Sequence, residues 1–508
     1  MLLLWCAVGT VLAGQAAVSA IQLDVNDPTS VKNAAATAAY DMMVYYHGNE
    51  TGQIPGKLPD TWWEGGAMFM TLMWYWHFTG DDSYVPVTQQ GMYWQAGENH
   101  DYMPSNYSRY LGNDDQMFWG LAAMTGAELN FPEQDGQPSW LALAQAVFNT
   151  QVERWDAADC NGGMRWQIYP YQAGYGLKNA ISNGGLFQLA ARLARYTNNQ
   201  TYAEWAEKIW DWSATTPLLR TDVWTIADST SIAAQCKDHG DLQWTYNYGT
   251  YLSGAAYMYN LTNGGDKWKK GIDGLLRTTF REFFPQQYGG NIMSETACEP
   301  NNMCDRNQRL FKGFLAGWFA FMTTLAPYTA DEILPKLRDS AVAAAKTCTG
   351  GRGTYCGWHW YQTGWDGHAG LEEQASATSI FAVNMLPFLQ PHQTAPLTAD
   401  TGGKSKSDPD AGLEQNPAVQ GPGLDLHIGT ADRAGAGILT VVFVTGWLAM
   451  VTWMVRTSSR LPVSLHRLSH HLSSPPLLTI SLPTILHHLP PAPLLVSPVD
   501  AAIMASVY

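Results

Sequence analysis

A closed ring of six helical hairpins is the all-α fold this sequence predicts, and three observations predict it. A glycine recurs 12 or 13 residues before a threonine, about the length of one helix. The segments between them are apolar on every side, as a helix buried in a large protein is. Amphipathic, charged stretches follow them.

The first inner helix runs from Trp63-Glu64-Gly65-Gly66 to Thr79-Gly80-Asp81-Asp82-Ser83-Tyr84. The second runs from Gly112 to Thr125-Gly126, and the third from Asn183-Gly184-Gly185 to Thr197. The fourth runs from Tyr246-Asn247-Tyr248-Gly249 to Thr262. Outer helices are predicted over Tyr202–Trp212 and Lys267–Phe280. The threonines are 46, 72 and 65 residues apart, and two further hairpins fit Asn307–Ala326 and Glu372–Phe388. No such helix buries its apolar face alone, so neighbouring hairpins must stack. The inner-helix starts then face one common cleft.

Composition narrows the function. The chain of 508 residues is 46% hydrophobic and 14% charged, as a globular protein is. A net charge of -15 excludes a nucleic-acid partner, which needs a basic footprint. The 22 Trp and 24 Tyr supply core volume and also flat faces for sugar rings.

Apolar residues 2–13 and the small residues Val18-Ser19-Ala20 read as a secretory signal over residues 1–20. Six cysteines then remain: Cys160, Cys236, Cys298, Cys304, Cys348 and Cys356. An even number in a secreted chain favours three disulfides. Cys298/Cys304 and Cys348/Cys356 make plausible local loops, leaving Cys160 with Cys236, one of fifteen pairings. Sequons at Asn49, Asn106, Asn199 and Asn260 are candidate glycosylation sites on the same route. No Cys-x-x-Cys or His-Glu-x-x-His spacing is present, so no metal or other cofactor is expected.

The candidate chemistry lies at Asn113-Asp114-Asp115-Gln116, where two acids open the apolar segment Met117–Met124. Alone, such a pair reads as structural, with Asn113 as N-cap and the helix dipole favouring acids in the first turn. Inside a cleft the reading changes. Adjacent like charges push their pKa values apart, leaving one carboxylate and one carboxylic acid. Glycoside cleavage needs that combination. Trp63, Arg165, Trp166, Asn183, Asn247, Tyr248 and Glu373 fall at or near helix starts and are candidate sugar contacts. Asn113, Gln116 and Gln308 join them, their amides suited to hydroxyls. For any one of these residues, packing of helix on helix is an equal reading.

Several motifs, in order, carry a resemblance: Asn113-Asp114-Asp115-Gln116, Cys160-Asn161-Gly162-Gly163-Met164-Arg165-Trp166-Gln167, Lys178-Asn179 with Ser182-Asn183-Gly184, and Cys304-Asp305-Arg306-Asn307-Gln308 with Phe311-Lys312. Over residues 22–412 the chain resembles glycoside hydrolase family 76, in particular its fungal, GPI-anchored mannan endo-1,6-α-mannosidase-like branch. The resemblance implies an (α/α)6 barrel. It also implies a retaining mechanism with Asp114 as nucleophile and Asp115 as general acid/base. Retention wants the two carboxyls about 5–5.5 Å apart, within reach of one helical turn. The implied donor is mannan or a GPI-core glycan, and the implied acceptor is cell-wall glucan. One departure stands out: where the branch usually carries Arg, this chain has Gly317, which removes an ion pair or a ligand contact.

The domains read as a catalytic body over 21–394, a flexible linker over 395–437, a hydrophobic anchor segment over 438–455 and a low-complexity tail over 456–508. The 53 residues after Val455 break a GPI signal, and Arg456, Arg460 and Arg467 suit a type I span instead. Read as an artefact of the gene model, the tail drops out and a GPI anchor returns. Either way the protein is expected at the outer plasma membrane or in the cell wall, attached to the membrane by its C-terminal anchor. A non-catalytic carbohydrate-binding scaffold is the alternative function.

Overall fold

In a computed structural model, residues 20–413, 440 and 443–454 are described. Two compact units divide the chain, Met1–Val419 and Gln420–Tyr508. The signal segment and the tail over 456–508 lie outside the described residues, as does most of the linker.

Among the described residues, twelve α-helices build the first unit. Six form the inner layer: α2 (Trp63–Thr79), α4 (Asn113–Glu128), α6 (Ala180–Thr197), α8 (Thr245–Leu261), α10 (Gln308–Leu325) and α12 (Leu371–Val383). Each packs on the next, and α12 returns to α2, so the ring closes. The outer layer is α1 (Pro28–Met43), α3 (Val85–Gln95), α5 (Trp140–Val152), α7 (Gln200–Ala214), α9 (Asp266–Phe283) and α11 (Ala330–Thr347). This is the (α/α)6 barrel expected, and every inner start falls within a few residues of its sequence signal.

The repeat has a physical cause. Thr79, Thr125, Thr197 and Thr262 each donate their hydroxyl to the carbonyl four residues back: Tyr75, Leu121, Leu193 and Met258. Each of these carbonyls already pairs within its helix, as Thr262 N with Met258 O at 2.9 Å, so the hydroxyl adds a second bond and ties the threonine side chain back onto its own helix. The glycines let inner helices approach closely. A Cβ at Gly66 would lie 2.9 Å from the Trp119 ring of α4. At Gly317 it would lie 2.3 Å from the Trp74 ring of α2. The departure at Gly317 is thus a swap of volume: Trp74 fills the space that a longer side chain would need.

The C-terminal ends of the inner helices form a floor. There Glu128 of α4 accepts from Arg192 Nη2 of α6 at 2.6 Å and from the Tyr257 hydroxyl of α8 at 2.9 Å. A two-stranded antiparallel sheet sits at the opposite rim. It pairs β1 (Leu177–Asn179) with β2 (Ser229–Ser231) in the register Lys178↔Thr230.

Residues 395–413 depart from the expected linker, for they are packed on the body. Leu397 N donates to Glu128 O at 2.9 Å, and Asn149 Nδ2 donates to Pro409 O at 2.8 Å. Polar composition alone suggested a free tether; here the polar side chains satisfy the backbone of a strap. In the second unit, residues 443–454 are helical. Among the described residues no helix is long and apolar enough to cross a membrane.

The disulfides are Cys160–Cys236, Cys298–Cys304 and Cys348–Cys356. Of the sequons, Asn49 and Asn106 are exposed. Asn199 is half-buried and caps α7 through its side-chain oxygen. Asn260 departs from expectation. Its Oδ1 accepts from Arg195 Nε at 2.7 Å and its Nδ2 donates to Leu325 O at 3.3 Å, so its amide is engaged inside the fold.

Candidate active site

The inner helices begin at one rim, and Asp114 and Asp115 stand there in the first turn of α4. Gly112, not Asn113, is the N-cap. Its backbone N–H donates to Asp115 Oδ2 at 2.6 Å, the reciprocal half of a capping box. Asp114 Oδ1 accepts from Asp115 N at 3.0 Å, and Asp114 Oδ2 accepts from Asn179 Nδ2 at 3.3 Å.

Both carboxyls are pushed upward. Burial is the first cause for Asp114, with the Asp115 charge next; the Asn179 amide opposes them and the pKa still lies well above the ordinary value. Burial raises Asp115 to about 6, with the Gly112 N–H opposing. The pair therefore keeps one proton at near-neutral pH, one acid beside one anion.

Asn113 and Gln116 hold this turn in place. Arg154 Nε donates to Asn113 Oδ1 at 2.8 Å, and Arg154 Nη2 donates to Gln116 Oε1. Asn113 Nδ2 reaches Arg165 O at 2.9 Å, and Gln116 Nε2 reaches Asp101 O at 2.7 Å. Both side chains are buried and engaged by the fold at each end of the amide, which makes them positioning groups for the acid turn.

Other candidates divide the same way. Asn183 is buried, accepting from Met164 N at 2.8 Å and donating to Asn179 O at 2.9 Å. Tyr248 is buried, its hydroxyl shared between Gln243 and Ile226 N. Glu373 is buried against Arg309 at 2.9 Å. Arg165 is committed to Asp156 at 2.9 Å and Asp159 at 2.5 Å. Gln308 opens α10 and is half-buried, its side chain accepting from Asp305 N at 3.0 Å while its own N donates to Asp305 Oδ1 at 3.1 Å. Buried Asn247 donates to Asp228 Oδ1 at 3.0 Å. Each was chosen for polarity at a helix start, and each spends part of that polarity on the fold, while Asn247 Oδ1 and Glu373 Oε2 are buried without a hydrogen-bond partner among the described residues.

Trp63 and Trp166 stay partly open. The Trp63 ring lies 4.7 Å from Phe118, and its Nε1 donates to Asn307 Oδ1 at 3.2 Å. Trp166 O accepts from Asn113 N at 2.8 Å, placing its residue directly beside the acid turn.

Sequence reasoning missed three residues. Asn179, at the end of β1, is the donor to Asp114. Asp228 precedes β2, and its carbonyl accepts from Ala180 N at 2.7 Å, so the strand pair sets it beside Asn179. Tyr246 is stacked on Phe311 at 3.6 Å. Burial raises its phenol well above the usual value, with the Asp228 and Asp114 charges next, so both acids act on this ring. The quoted Lys178-Asn179 and Tyr246-Asn247-Tyr248 motifs held two of these residues, while Asp228 left no local signal.

Loops carry the rest of the rim. Lys178 Nζ is buried, donating to Asp159 O at 2.7 Å and pairing with Asp156 Oδ2 at 3.1 Å. It thereby folds the loop that bears Arg165 and Trp166. Arg306 joins Glu64 of α2 at 3.0 Å and also Glu372 of α12, tying two inner-helix starts together. No cluster of metal-ligating side chains occurs among the described residues.

Known proteins share this architecture. A Dfg5 crystal structure from Chaetomium thermophilum, in complex with glucosamine, is 42% identical with a TM-score of 0.74. The alignment covers 78% of this chain and 99% of that one. An inactive variant of the α-1,6-mannanase of Salegentibacter, in complex with α-1,6-mannotriose, shares the fold at 19% identity and a TM-score of 0.56, covering 70% and 99%. The mannan endo-1,6-alpha-mannosidase DCW1 of Saccharomyces cerevisiae is 42% identical over 442 residues, 86% of this chain and 96% of the relative. Residues 30–400 match the pattern of glycosyl hydrolase family 76. With that match spanning the acid pair and the whole ring of helices, the chain belongs to glycosyl hydrolase family 76.

Proposed function

We propose that the protein cleaves α-1,6-mannosides with retention and passes the cleaved glycosyl group to a sugar hydroxyl. The observation that carries this reading is the one-proton pair Asp114/Asp115, held by fixed donors at the rim of the ring. The substrate class follows the relatives named mannan endo-1,6-alpha-mannosidase.

Asp114 attacks the anomeric carbon while Asp115 gives its proton to the departing glycosidic oxygen. Asp114 takes two N–H donors, which favour its anion, and the cationic transition state over it favours that anion further. The proton is thereby moved to Asp115, whose Oδ2 stays pinned by Gly112. In the second step Asp115 takes the proton of the acceptor hydroxyl, whose oxygen displaces Asp114. Asp228 and Tyr246 face the same space, and Asp228 is suited to hold sugar hydroxyls. Trp63 and Trp166 supply apolar faces for the rings.

With a GPI-linked mannoprotein as donor and a wall glucan as acceptor, this chemistry would fasten a protein to the cell wall. A secreted, surface-anchored location suits that role. A scaffold that only bound sugar would have no use for two crowded, desolvated carboxyls.

The test is incubation of the purified protein with α-1,6-mannotetraose and a β-glucan oligosaccharide, read by mass spectrometry with Asp114→Asn as control. A donor–acceptor conjugate missing from the control is the expected product. Free mannooligosaccharide alone would reduce the reading to hydrolysis, and no product would overturn it.

A further inference from the structure

We propose that Tyr169 and Tyr171 form a stacking platform for one neutral hexopyranose of the bound glycan, beyond the two sugars joined at the scissile bond. The inference rests on the α-mannoside reading above and extends it to a site that the catalytic chemistry does not use.

Tyr171 is 59% exposed, and exposed tyrosines are ordinary when they are mobile. This one is fixed at three points. Its ring lies parallel to that of Tyr169, at 5.4 Å between centroids and 5° between planes. Its hydroxyl donates to Arg109 O at 2.8 Å. Its backbone sits in a turn closed by Gln172 N donating to Tyr169 O at 3.0 Å, with Pro170 as the second residue. Proline fixes φ at the position a tight turn requires. Tyr169 thus covers one face of the Tyr171 ring, and the exposure belongs to the remainder. A sugar ring needs one flat apolar face for its axial C–H groups and a neighbouring polar edge for its hydroxyls. A ring already immobilised loses little freedom when the sugar arrives.

The platform shares a frame with the acids. The Gln172 side chain accepts from Tyr169 N at 2.7 Å and donates to Leu111 O at 3.2 Å. The next residue, Gly112, donates to Asp115. Tyr110, beside the Arg109 tether, is 78% exposed and widens the same aromatic surface. One short backbone path therefore links the stacked rings to the catalytic turn. That continuity points to a further unit of the same oligosaccharide as the occupant.

Calorimetric binding in the Asp114→Asn background tests this, with α-1,6-mannobiose and α-1,6-mannotetraose as probes. Tyr171→Ala is expected to weaken the tetraose about tenfold and to leave the biose unchanged, while Tyr171→Trp keeps tetraose binding. Equal tetraose affinity in the Tyr171→Ala and parent proteins would overturn the platform and leave the functional reading standing. Loss of both probes in Tyr171→Ala and Tyr171→Trp alike would also overturn it, marking a collapsed loop. Binding of neither probe to the parent would remove the platform together with the α-mannoside reading.

Discussion

Replacing Asp115 by Asn should make the protein more stable at neutral pH while removing its activity. In the fold, burial raises this carboxyl from 3.8 to about 6. A shift of that size corresponds to about 3 kcal/mol. The sign follows from proton uptake. Between the two values the folded state holds the proton and the unfolded state has lost it, so stability falls as pH rises through this window. The cost is absent below about pH 4 and complete above about pH 6. A neutral amide in its place would carry no such cost, but the bond from Gly112 N would lose its charge assistance, about 1–2 kcal/mol. The net gain above pH 6 is about 1–2 kcal/mol, or roughly 1–2 °C in Tm for a body of this size. Scanning calorimetry of both proteins from pH 4 to 8 measures it. The Tm difference should grow in favour of the variant as pH rises. A variant less stable by the same amount at every pH would show that the acid pair is not strained and would refute the argument.

Three more outcomes follow from the same geometry. In the free enzyme kcat/KM should fall below about pH 6, as the anionic member of the pair takes a second proton, and fall again at higher pH when Asp114, raised well above the ordinary carboxyl value, loses its own; a profile flat from pH 4 to 6 would exclude this. Asn179→Ala removes the 3.3 Å donor to Asp114, so kcat should drop about tenfold with KM changing less than twofold, and a KM-dominated loss would instead make Asn179 a sugar contact. The double change Cys298→Ser, Cys304→Ser opens a short loop worth about 2 kcal/mol just before Asp305 and Asn307; turnover measured on folded protein should decline about tenfold, and unchanged turnover would show that this turn needs no covalent support.

The ring of helices was legible because its signals are mechanical and local. Threonine bonds back to a carbonyl four residues away, and glycine admits the Trp119 or Trp74 ring of another inner helix. Each leaves a mark within one helix length. The acid pair was legible for the same reason, as adjacent charges before an apolar run. Its partners were not. Asn179 lies 65 residues from Asp114 and meets it only once β1 has paired with β2. Arg154 is one arginine after α5, and nothing in its neighbours marks it as the clamp on Asn113. The amides at helix starts were ambiguous because holding a neighbouring segment and binding a hydroxyl call for the same chemistry. Only the direction of each side chain separates the two uses.

The strap bears on how the molecule is held. It begins at the floor, where Leu397 meets Glu128, and its next contacts climb along α5 from Leu141 to Gln145 and Asn149. Helix α5 ends just before Arg154, the residue that clamps the catalytic turn. The chain thus travels from base to mouth along one flank before residue 413. Any pull exerted through the following residues would load that flank first, close to the clamp.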